Sequence, residues 1–76
     1  MQTIESRVKA VAQAQGIPTI SALARRARLN RKTVRRVWGR DMPPFLLFST
    51  VCRLCKALGD SPIGELFVLV ERANDE

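Results

Sequence analysis

The sequence predicts an all-α fold, five short helices around one small core, on three observations. Apolar residues recur at helical spacing rather than in alternation, in segments interrupted by Gly or Pro. Ser, Thr or Asn stands ahead of several of these segments, where a side-chain oxygen can cap the first turn. With 76 residues, 46% of them hydrophobic and 26% charged, the chain has material for one modest core, which a second copy would help to stabilise. No repeat or linker divides it, so residues 1–76 read as a single domain with a polar, fraying tail over 72–76.

Helix 1 is expected from Thr3, because Ile4, Val8, Val11 and Ala12 share a face, and Gly16 and Pro18 end the pattern. Thr19 then offers an N-cap hydroxyl. Ile20, Leu23, Ala24 and Ala27 fall within a third of the helical wheel, so helix 2 runs from about Ile20 to Arg28. Asn30 caps helix 3, which spans Arg31 to Trp38 and stops at Gly39. Pro43 and Pro44 mark a loop. In helix 4, ended by Gly59, Phe48, Val51, Cys52, Leu54, Cys55 and Leu58 form an apolar arc wide enough to imply burial on most sides. Ser61 and Pro62 read as N-cap and first residue of helix 5, since proline there loses only a hydrogen bond that the position never makes. Helix 5 carries Ile63, Leu66, Phe67 and Val70 on one face. Val68 and Leu69 lie off that face and are the candidate contact of a homodimer.

Cys52 and Cys55 have the C-x-x-C spacing of a zinc half-site or a redox pair. Tetrahedral zinc needs four ligands, and the chain has no His and no third Cys. The favoured reading is therefore two reduced, metal-free core thiols, with no metal and no cofactor.

Charge is distributed unevenly. The net charge is +6 and the pI about 10.7, which favours a polyanionic partner. Eight of the thirteen basic residues, Arg25, Arg26, Arg28, Arg31, Lys32, Arg35, Arg36 and Arg40, fall in one segment without an acid, while five of the seven acids lie in the last third. On helix 3, at about 100° per residue, Arg31, Lys32, Arg35 and Arg36 share one arc and Val34 and Val37 point the other way. Four cations with no Glu four residues away repel one another, and an anionic ligand would relieve this. No apolar run approaches the roughly 20 residues that span a bilayer and the N-terminus lacks a signal-peptide pattern, so no membrane role and a cytoplasmic location are expected.

The segment TISALARRARLNRKTVRRV, from Thr19 to Val37, resembles the Cro/C1-type, lambda-repressor-like (XRE-family) helix-turn-helix proteins. In that family an Ala in helix 2 lets helix 3 pack closely, and apolar residues follow at the spacing found here for Ala24, Val34 and Val37. CKALGDSPIGELF, from Cys55 to Phe67, is similar to the fourth and fifth helices of the family with one residue inserted. The helix-turn-helix would then occupy about 19–38. Three departures stand out. Arg28 replaces the usual turn glycine, so either a positive φ costing about 1 to 2 kcal/mol is tolerated or the turn is built differently. Ile20 stands where Gln is common and is read as a core residue. Trp38 stands where Glu is common, and either caps the core, the favoured reading, or flanks DNA.

The resemblance implies a sequence-specific double-stranded DNA-binding transcriptional regulator, read as a repressor, whose helix 3 enters the major groove. Arg31, Lys32, Arg35 and Arg36 match the base-reading positions, and their chemistry favours guanine. Thr19, Arg26, Asn30, Thr33 and Arg40 are candidate backbone contacts. Nothing in the sequence suggests an enzyme, since there is no His, paired-carboxylate pocket or Gly-rich phosphate loop. The alternative is an antitoxin or anti-regulator acting through a protein partner at helix 5. RNA binding is weaker, because few aromatic residues are free to stack on bases.

Overall fold

The computed structural model describes residues 2–71, in which two strands bracket five helices. β1 (Gln2–Ser6) leads into α1 (Val8–Ala14), α2 (Ile20–Ala27), α3 (Arg31–Trp38), α4 (Phe48–Ala57), α5 (Ile63–Leu66) and β2 (Phe67–Glu71). The all-α expectation thus holds for the helices and fails at both ends. The expected polar tail, 72–76, lies outside the described residues.

Helix 1 does not begin at Thr3. The stretch Gln2–Ser6 pairs antiparallel with Phe67–Glu71, in the register Thr3 opposite Val70, Ile4 opposite Leu69 and Glu5 opposite Val68. For the same reason helix 5 stops at Leu66, so Phe67 and Val70 do not continue a helical face with Ile63 and Leu66. Phe67, Val68 and Val70 are aromatic or β-branched and suit a pleated surface. In so short an apolar run, helical spacing competes with strand pairing, and periodicity alone does not separate them. Val68 and Leu69 are therefore strand residues rather than the second face of a helix.

Every helix contributes to one core. Val8, Ala12, Leu23, Val34, Val37, Leu54, Leu58 and Leu66 are fully buried, and Ile20 and Trp38 pack partly buried against this cluster. Trp38 thus takes the core-capping place.

Helix 4 is less enclosed than its sequence suggests. Its buried side is Thr50, Val51, Leu54 and Ala57, whereas Phe48 is 82% exposed. Cys52 is exposed and Cys55 half-buried. The fully buried reading of these thiols is therefore corrected, completely for Cys52 and in part for Cys55. Burial raises the Cys55 thiol pKa above its ordinary value, and the neighbouring Cys52 adds to the shift. The start of helix 5 also moves by one residue. Pro62 holds the N-cap position and Ile63 opens the helix, while the buried Ser61 hydroxyl donates to the Leu58 carbonyl at 2.6 Å, closing the end of α4.

Three local devices set the path of α2 and α3. The Thr19 Oγ1 accepts from the Ala22 N–H at 3.1 Å, and the Asn30 Oδ1 accepts from the Lys32 N–H at 2.7 Å, as both caps were expected to do. Between them Arg28 adopts the left-handed conformation, φ 57° and ψ 45°. The Leu29 N–H bonds the Ala24 carbonyl at 2.9 Å and the Arg28 N–H bonds Arg25 at 3.3 Å, which is the Schellman pattern of helix termination. The turn is therefore built as a glycine would build it, with the strain accepted. Arg53 Nη1 donates to the Arg28 carbonyl at 3.0 Å and helps hold it. Replacing Arg28 with Gly should relieve about 1 to 2 kcal/mol of left-handed strain, less the added unfolded-state entropy of glycine. Urea denaturation should show Arg28→Gly as stable as the parent or more so, and a clear loss of stability would contradict this account of the turn.

Candidate nucleic-acid interface

α3 is anchored by two side chains and exposes four. Val34 and Val37 are fully buried, and each such burial contributes about 1.5 to 3 kcal/mol. Their burial fixes the rotation of the helix, so Arg31, Lys32, Arg35 and Arg36 are all exposed on the opposite side. The four expected base-reading residues are thereby brought onto one arc. Buried Leu23, Ala24 and Ala27 present α2 to the same core, and the small side chain of Ala24 leaves room for α3 to approach.

The C-terminal end of α3 is held by β1. The Ser6 N–H donates to the Arg40 carbonyl at 2.7 Å, and the buried Ser6 hydroxyl donates to the Val37 carbonyl. The Met42 N–H donates to the Ile4 carbonyl at 2.9 Å. Arg40, exposed just beyond α3, is thus carried on backbone that the strand keeps in place.

The expected backbone-contacting residues are not all equally available. Thr19 and Asn30 use a side-chain oxygen in capping, although the Thr19 hydroxyl can accept from Ala22 and still donate to a phosphate. Thr33 is half-buried at the side of α3 and lines a cleft with Arg36, Phe45 and Leu47. Arg26 is set apart from the α3 arc. Its Nε donates to the Ala57 carbonyl at 2.9 Å, and it lines a cleft between α2 and α4 with Arg28, Arg53 and Lys56.

Arg36 is also constrained, because its Nη2 donates to the Phe45 carbonyl at 2.7 Å. One of five guanidinium donors is spent in steadying the α3–α4 loop. Sequence reasoning missed this loop as part of the surface. Phe45 is 81% exposed and Leu47 73%, and the Pro43–Pro44 pair ahead of them was the one available signal that the chain turns outward here.

A capped two-helix unit with a buried alanine, a tight left-handed turn and a cationic second helix is the geometry of a DNA-reading helix-turn-helix. The family model described as Cro/C1-type HTH DNA-binding domain matches residues 7–72. The chain belongs to this family. No curated protein and no solved structure matches it at a significant level. The match to the Cro/C1-type domain begins immediately after β1, so the strand that braces α3 lies outside the matched region. Among the described residues, no helix is long and apolar enough to cross a membrane.

Proposed function

We infer that this Cro/C1-type domain is a sequence-specific transcriptional regulator, a repressor, that binds duplex DNA as a homodimer and reads the major groove with α3. The observation that carries the reading is the rotation of α3, which exposes all four of its cations and buries both of its valines. Arg31, Lys32 and Arg35 are the principal base readers. Arg36 shares its guanidinium with the loop, and Thr19 and Arg40 meet phosphates beside it.

The homodimer is best supported by β2. It lies at the edge of a two-stranded sheet, while β1 takes Arg40 to Met42 on its other side. Two-stranded ribbons are marginal by themselves and gain from a third strand. Leu69 is 62% exposed and its cross-strand partner Ile4 41%. A twofold axis at Leu69 would set Val68 of one copy opposite Val70 of the other, so the strand is complementary to itself and Val68 and Leu69 keep their proposed place in the interface. The reading in which a protein partner binds helix 5 has a helix of only four residues, Ile63–Leu66, to work with.

Two sets of variants test these proposals. Arg31→Ala or Lys32→Ala should cost about 1 to 3 kcal/mol on a preferred duplex and much less on random duplex. Arg40→Ala should weaken both alike and reduce the slope of log K against log salt by about one unit. Equal losses on both duplexes for all three variants would reduce α3 to an electrostatic patch. For the dimer, Leu69→Lys should leave the helical circular dichroism intact while analytical ultracentrifugation shows a shift from dimer to monomer. A parent protein that sediments only as monomer at high concentration, with and without DNA, would remove the dimer.

A further inference from the structure

We propose that Cys52 and Cys55 form a two-thiolate binding site for a soft d10 cation of low coordination number, with Cu(I) as the representative ion. The two cysteines are three positions apart on one helix, so their Cβ atoms stand about 5 to 6 Å from each other. Cys52 is exposed and Cys55 half-buried, so the Cys52 thiol meets solvent while Cys55 lies at the edge of the core, against which it packs.

This placement selects among thiol chemistries. A disulfide needs Cβ atoms about 3.5 to 4.5 Å apart, closer than the helical spacing that this pair has on α4. Closing the bond would deform the helix that carries Val51 and Leu54, whereas a bridging ion spans the wider gap through two metal–sulfur bonds. Coordination number then selects the ion. Among the described residues no group of three or more His, Cys, Asp or Glu could hold a metal, and the sequence has no His and no third Cys. Zinc requires four ligands. Cu(I) is selected by soft thiolates and is satisfied by two of them in a linear arrangement.

Charge favours the same ion. Binding follows Cu(I) plus two thiols giving a bis-thiolate copper complex of charge −1 and two protons, with no change in oxidation state. Lys56 follows Cys52 by four positions and is its neighbour on the helix surface, and its positive charge favours the anionic complex. Because two protons leave for each ion, affinity should rise about 100-fold per pH unit below the thiol pKa values.

The test uses the reduced full chain under nitrogen, titrated with the Cu(I) complex of bicinchoninate. The proposal expects transfer of one Cu(I) per chain, protection of both thiols from a colorimetric thiol reagent, and an affinity that rises with pH in the two-proton manner. Cys52→Ser and Cys55→Ser should each abolish transfer while keeping the parent's circular dichroism. Cys52→Ser alters an exposed side chain, so it keeps the test decisive even if the half-buried Cys55→Ser variant misfolds. Failure of transfer, transfer that survives Cys52→Ser, or one metal ion per two chains would each overturn the proposal, the last by showing a site shared between copies.

Discussion

The burial of Val34 and Val37 is the constraint on which the rest of the molecule depends. Eight residues of α3 contain two aliphatic side chains and four cations, so once the valines enter the core there is one rotation left for the helix. That rotation decides which side chains meet solvent. Ala24 matters because a larger residue on α2 would hold α3 off and expose the valines. The strained turn at Arg28 matters because it delivers α3 to that site at the required angle, with Asn30 capping its first turn. The cationic arc is thus a consequence of packing on the opposite face.

Both ends of α3 are fixed, but by different means. Its N-terminus is set by the Schellman turn and the Asn30 cap, which are local. Its C-terminus is set by β1, through bonds from Ser6 to Val37 and Arg40, and these span more than thirty residues of sequence. β1 in turn is held by β2, so the two strands form a clamp on the exit of α3. The Arg7 N–H bonds the Leu66 carbonyl at 2.7 Å and joins α1 to the same clamp. Much of the rigidity of the candidate site therefore comes from residues distant from it in sequence.

What was legible in the sequence follows the same division between local and distant. The caps at Thr19 and Asn30, the burial of Ala24, Val34 and Val37, and the exposure of the four α3 cations could be read from neighbouring residues. The strands could not, because Ile4 and Leu69 lie at opposite ends of the chain and their pairing competes with helical spacing at each end separately. Phe48 and Cys52 were misread for a related reason. An apolar arc shows what a helix could bury, whereas only the neighbours decide what is covered, and α4 is covered on one side. In the candidate site the sequence placed the four α3 cations on the exposed face but did not show that Arg26 and Arg36 are tied to carbonyls of Ala57 and Phe45.

The central claim, that a helix rotated by two buried valines selects a DNA sequence, is tested most directly by binding-site selection from random duplex DNA. The account predicts an enriched, guanine-containing inverted repeat with half-sites about one helical turn apart, as a twofold pair of α3 helices requires. Recovery of duplexes without any shared motif, at an affinity governed by salt alone, would contradict it.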